Sequence, residues 1–186
     1  MTILCYGDSN TFGFDPRSFL GGRYDPDCRW VDILAAKTGW NFLNNSMNGR
    51  EIPKREVCFS ISADLLILML GTNDLLQGAT AEETTRRMGD FLGKLSIDNR
   101  KILLIAPPPL KRGEWVSDDQ LVRESLALCS LYRHLAEEKN ILFADAGEWN
   151  VPLAFDGVHI TEEGNRIFAE NLLRCMKKYL IPEKSI

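Results

Sequence analysis

Histidine is almost missing from this chain, which has only His134 and His159. Two imidazoles cannot furnish a conventional zinc site of several ligands, and the five cysteines contain no Cys-x-x-Cys pair to complete one. Cys5, Cys28, Cys58, Cys129 and Cys175 are odd in number and widely spaced, so they read as reduced core thiols rather than a disulfide framework. Cys5 as a catalytic thiol is the weaker alternative, because it falls in an expected buried strand with no base near it in sequence. No run of roughly 20 apolar residues is present to span a bilayer. Nor is there a basic region followed by an apolar stretch, the mark of a signal peptide. Basic residues are scattered and the net charge is -4, which gives no support for a nucleic-acid or anionic-membrane partner. No G-x-G-x-x-G or G-x-x-x-x-G-K-[ST] follows an expected strand, and there is no G-x-S-x-G elbow. The expectation is a cytoplasmic protein that needs no metal or cofactor and meets a small molecule.

What is present is ordinary in bulk and organised in order. The 186 residues, 45% hydrophobic and 26% charged, suit one soluble domain over 1–186 with a sizeable core. Short apolar runs at Thr2–Tyr6, Trp40–Asn44, Asp64–Leu70, Lys101–Ala106 and Ile141–Ala144 read as strands. Most are continuously apolar, as parallel strands covered on both faces are. Helical spacing fills Arg29–Thr38, Ala81–Leu95, Asp118–Lys139 and Thr161–Leu180, with Leu121, Leu128, Leu131 and Leu135 forming one stripe. Pro53 suits the first turn of a shorter helix over Ile52–Ser60. The alternation predicts an α/β fold: a three-layer α/β/α domain with a five-stranded parallel sheet in flavodoxin-like order. Two loops exceed what a scaffold needs, Thr11–Cys28 and the one that begins at Pro107-Pro108-Pro109 and carries Trp115. Such loops shape a binding site or a subunit contact.

Four segments carry chemistry. Ser9 in Gly7-Asp8-Ser9-Asn10 follows the first strand, at the sheet edge where ligands bind in such folds. Asn48-Gly49 follows the second, and Gly71-Thr72-Asn73-Asp74 the third. Asp156-Gly157-Val158-His159 follows the last. A spacing of three lets Asp156 meet the Nδ1 side of His159 and leaves Nε2 to take a proton from a serine. The Gly49 N–H and the Asn73 amide can donate to a developing oxyanion. Read alone, each piece is a turn or a helix cap, and Asp74 reads as a cap rather than an acid. Asp8 likewise serves the turn. His134, inside a charged helical stretch beside Arg133, Glu137 and Glu138, is a solvated residue. The pieces converge on one edge, where they meet the needs of acyl transfer.

In this order Gly7-Asp8-Ser9, Gly49, Asn73 and Asp156-x-x-His159 resemble the SGNH hydrolases, also called GDSL esterases or lipases, over nearly the whole chain. The resemblance implies that family's fold. It implies Ser9 as nucleophile, with its own N–H, the Gly49 N–H and the Asn73 side chain as oxyanion hole. It implies His159 as base and Asp156 as its orienter. The Gly7-to-Gly13 start and Asn48-Gly49-Arg50 look most like the bacterial arylesterase branch, some members of which are oligomeric. Two positions depart from the pattern: Asn10 replaces the usual leucine, and Ser46 stands where a glycine often precedes the oxyanion glycine. The expected function is a serine esterase for short-chain acyl esters, with Phe155, Leu75 and the triple proline beside the site. A thioesterase, a carbohydrate deacetylase or an acyltransferase would use the same machinery. The non-enzyme alternative is a flavodoxin-like nucleotide-binding module, and homo-oligomerisation through Thr11–Cys28 is a further expectation.

Overall fold

The computed structural model describes residues 1–18, 20–59 and 62–180. Five strands, β1 (Thr2–Gly7), β2 (Asn41–Ser46), β3 (Leu65–Met69), β4 (Ile102–Ala106) and β5 (Leu142–Asp145), form one parallel sheet in the order β2-β1-β3-β4-β5. Around it lie α1 (Ser9–Phe12), α2 (Trp30–Thr38), α3 (Thr72–Leu76), α4 (Ala81–Leu92), α5 (Asp119–Lys139) and α6 (Glu162–Leu180). The sheet order is the flavodoxin-like one, and element bounds fall within a few residues of the sequence-based ranges.

Successive strand residues point to opposite faces, and an apolar run therefore supplies two cores at once. From β1, Leu4 and Tyr6 join Leu66, Leu68 and Leu104 under α4 and α5, where Met88, Phe91, Leu128 and Tyr132 cover them. Ile3 and Cys5 face the other way with Ile67, Leu103 and Ile105, against Trp30 and Leu34 of α2 and Phe168 and Leu172 of α6. Fully burying each such large side chain contributes ~1.5–3 kcal/mol. Trp30, at 0% exposure, packs against Phe168 with the rings tilted at 42° and their centroids 5.1 Å apart. Among the described residues, no helix is long and apolar enough to cross a membrane.

The register aligns the strand ends. Gly7 pairs with Ser46 on one side and Met69 on the other, so the segments after β1, β2 and β3 emerge side by side. α2, between β1 and β2, covers one face of the sheet and α4, between β3 and β4, covers the other, so the order reverses beside β1, where sheets of this kind take ligands at the carboxyl end.

One element is corrected. Ile52–Phe59 forms no helix; it runs irregularly with a bend at Lys54–Arg55. The Ile52 N–H is taken by the Asp74 carboxylate at 3.0 Å, and the Lys54 carbonyl accepts from Lys94 Nζ at 2.9 Å. The Lys54 carbonyl, which a helix over this range would use internally, is held from outside. Ile52, Val57 and Phe59 still reach the core, with Phe59 edge-on to Tyr6 at 5.2 Å. Ser60, the expected last residue of that helix, lies outside the described residues.

Candidate active site

β1 ends at Gly7, and the chain turns at once into α1. The Asp8 carboxylate accepts from the Asn10 N–H at 3.0 Å, capping this short helix. Ser9 is therefore the first helical residue, 6% exposed, and its N–H has no intrahelical partner by the geometry of a helix start.

The other half of the site comes from the segment before α6. An antiparallel bridge between Leu153 and Ile160, extended by bonds from Ala154 N to His159 O at 2.7 Å and Thr161 N to Pro152 O at 3.1 Å, makes a tight loop. Gly157 at its tip has φ +81°, and a side chain there would strike the Lys111 carbonyl. Within the loop, Asp156 Oδ1 accepts from Val158 N at 2.8 Å and His159 N at 2.9 Å. Asp156 Oδ2 lies 2.6 Å from His159 Nδ1, and His159 Nε2 lies 2.9 Å from Ser9 Oγ. Burial pushes the Asp156 carboxyl up, but the imidazole and the two backbone N–H groups outweigh it and hold the group below its ordinary value. An ionised carboxylate only accepts, so Nδ1 carries its proton toward Asp156 and Nε2 is left to accept the serine O–H.

Two aromatic rings enclose His159. Phe14 lies 4.5 Å from it between centroids, and Trp115 meets it edge-on at 5.2 Å. Trp115 arrives on a strap of three backbone bonds: Lys111 N to Gly157 O at 3.0 Å, Glu114 N to Phe155 O at 3.1 Å, and Trp115 N to Asp156 O at 3.0 Å. Trp115 and Phe155 are both more than half exposed, at 56% and 55%. Sequence reasoning noted Trp115 only as part of a long loop, and it did not single out Phe14.

Asn73 and Gly49 lie on the neighbouring turns. Asn73 Nδ2 donates to the Arg50 carbonyl at 3.1 Å, which uses one of its two hydrogens and leaves the other to donate elsewhere. Arg50 in turn donates to Asn45 O at 2.6 Å and Gly7 O at 3.2 Å, with its guanidinium 4.1 Å from the Tyr6 ring centroid. The turn that holds Gly49 is thus tied both to the strand before Ser9 and to Asn73. Gly49 has φ +71° and open space around its Cα. The structure brings Ser9, His159 and Asp156 into one hydrogen-bonded chain; it joins Asn73 and Gly49 to that chain through Arg50 and Gly7.

Several expectations are revised. Asp74 is not a cap: it is the third residue of α3, 0% exposed, accepting from Ile52 N and paired with Arg87 Nη1 at 2.9 Å. Leu75 is buried, as are Pro107 and Pro108, and of the expected acyl-side residues Phe155 is the one facing solvent. Cys58 is exposed rather than a core thiol. His134 is solvated, as expected, with Nδ1 3.7 Å from Glu137. Among the described residues, no group of three His, Cys, Asp or Glu side chains could hold a metal ion. A cavity of about 500 Å³ opens elsewhere, between Val57–Phe59 and Ser96–Asp98.

Residues 5–167 match the model of the GDSL-like lipase/acylhydrolase family. A GDSL esterase/lipase, WDL1, of Oryza sativa subsp. japonica is 25% identical over 90% of this chain and 74% of its own length. The structure of a putative arylesterase from Agrobacterium tumefaciens superposes with TM-score 0.79 at 26% identity, covering 96% of this chain and 99% of that one. A carbohydrate acetylesterase family member from Sinorhizobium meliloti superposes with TM-score 0.77 at 25% identity, covering 96% and 98%.

Proposed function

The chain belongs to the GDSL-like lipase/acylhydrolase family and is a carboxylic ester hydrolase, and from that premise we propose that it cleaves short-chain acyl esters with Ser9 as nucleophile, His159 as base and Asp156 as orienter. The observation that carries this reading is the continuous bond chain from Ser9 Oγ through His159 to Asp156, at 2.9 and 2.6 Å. Ser9 Oγ attacks the ester carbonyl carbon as its proton passes to His159 Nε2. The carbonyl oxygen becomes an oxyanion, which the Ser9 N–H, the Gly49 N–H and the free hydrogen of the Asn73 amide stabilise. Such donors, aimed before charge appears, are each worth ~10²–10³ in rate. His159 then gives its proton to the leaving alkoxide, the C–O bond breaks, and an acyl-Ser9 ester remains. Water, deprotonated by the same Nε2, attacks that ester; the proton returns to Ser9 Oγ and the acid departs. Asp156 keeps its charge throughout and stabilises the imidazolium.

Short acyl groups are favoured because Leu75, Pro107 and Pro108 are buried, which leaves Phe155 as the exposed apolar side chain of that group. The substrate is a small molecule. Ser9→Ala is expected to lower p-nitrophenyl acetate turnover by several orders of magnitude, with an unchanged circular dichroism spectrum. Undiminished turnover in the folded variant would end the assignment. The same pair of proteins, run against acyl-thioesters, acetylated sugars and alcohol acceptors, separates ester hydrolysis from the neighbouring activities.

A further inference from the structure

Ser9 and His159 lie 150 positions apart, and a hydrogen bond between two side chains does not by itself fix where either backbone stands. Asn10 supplies that fixing. Its side chain is buried, with Nδ2 donating to the Val158 carbonyl at 3.1 Å and Oδ1 accepting from the Ile160 N–H at 2.9 Å. These two groups flank His159. A carbonyl can only accept and an amide N–H can only donate, so the orientation of the Asn10 amide is determined by its partners. The Asn10 backbone is itself held, by Asp8 Oδ1 at its N–H and by Trp30 Nε1 at its carbonyl, at 3.0 Å each. Besides the Ser9–His159 bond, these two side-chain bonds are what ties α1 to residues 156–160 by hydrogen bonding among the described residues.

We propose that Asn10 is a positioning residue that clamps the backbone on both sides of His159 and so sets Nε2 against Ser9 Oγ. This rests on the reading of Ser9 and His159 as nucleophile and base. The Asp156–His159 pair does not need the clamp, because its three bonds are internal to residues 156–159. Asn10 aligns a finished pair to the serine; it does not build the pair. A leucine has similar bulk but neither polar group, and would leave the Val158 carbonyl and the Ile160 N–H without partners in the interior.

Asn10→Leu and Asn10→Asp test this. Misplacing reacting groups by about 1 Å costs ~100-fold in rate, and a loss of that order in kcat is expected for Asn10→Leu, with KM little changed. The far-downfield NMR resonance of the His159 Nδ1 proton should persist. Asn10→Asp keeps the acceptor for Ile160 but sets an oxygen against the Val158 carbonyl, and should fall between wild type and Asn10→Leu. Wild-type kcat in Asn10→Leu overturns the proposal. So does loss of the Nδ1 resonance along with activity, which makes Asn10 a general support of the loop. If Asn10→Leu does not fold, Asn10→Asp decides, and wild-type kcat there overturns it. Ser9→Ala alongside keeps the two readings apart: its indifference would sink the nucleophile assignment whatever Asn10 shows.

Discussion

Asp8 is the least comfortable residue of the site. It is 1% exposed, one oxygen caps α1, and Oδ2 has no partner among the described residues. Burial raises its pKa from 3.8 to about 6, against the pull of the Asn10 N–H and of His159. The sign of the consequence follows from linkage. The folded protein holds this proton more tightly than the unfolded chain does, so the stability that Asp8 contributes is fully present below pH ~4 and is lost as pH rises through ~6; the shift is worth ~3 kcal/mol. Asp8→Asn keeps the cap acceptor and removes the charge. Its thermal midpoint relative to wild type should therefore improve by ~5 °C or more between pH 4 and pH 8, given ~2–4 °C per kcal/mol at this size. Any fixed cost of the amide, and the acid sensitivity of Asp156, cancel in that comparison. An offset equal at both pH values would mean the carboxylate is not strained. Residues of this kind mark how far sequence carries. Ser9, Asp156 and His159 were legible because their chemistry is local: a carboxylate three positions from an imidazole, a serine at a strand end. Asn10 looked like a mere departure, since the groups it serves lie near the other end of the chain.

At the scale of elements, the strap across the Asp156–His159 loop is the device that reading in sequence could not see. Its three bonds use backbone groups of Lys111, Glu114 and Trp115, which carry no signature in residue type. Gly113 makes the approach workable, because a Cβ there would sit 2.5 Å from the backbone of Asp156 and Gly157. Those atoms cannot swing aside as a side-chain end could. Gly113→Ala is expected to cost ~1–3 kcal/mol, the range for overpacking, and to lower kcat as Trp115 and the Asp156 loop part. Paired thermal melts and esterase assays check this, and an alanine variant with both values unchanged would refute the strap's role. The misread helix over Ile52–Ser60 has a similar origin. Pro53 fits a first helical turn, but Lys94, 40 positions from Lys54, captures the carbonyl that the helix needed. Where helices close on their own residues, as α4 does with a Thr80–Glu83 capping box, the sequence was a sufficient guide.

The whole molecule was legible because one rule runs through it: continuously apolar strands demand cover on both faces, and the alternating helices supply it. That rule yields the three layers and predicts one cooperative unit spanning them. The cysteines can test this. Cys58 is exposed, whereas Cys5 lies in the layer under α2 and α6 and Cys129, on α5 itself, faces the core on the other side of the sheet. Burial pushes the Cys5 thiol far up and the Cys129 thiol up to about 12, and the thiolate is the reactive form. A thiol reagent should modify Cys58 in the native protein while Cys5 and Cys129 stay silent. In a urea series the two silent thiols should become reactive together, at the midpoint where circular dichroism reports loss of helix, because a sheet shared by both layers cannot release one and keep the other. Separate midpoints for Cys5 and Cys129, read by mass spectrometry of labelled peptides, would show that the layers unfold apart and that the sheet does not couple them.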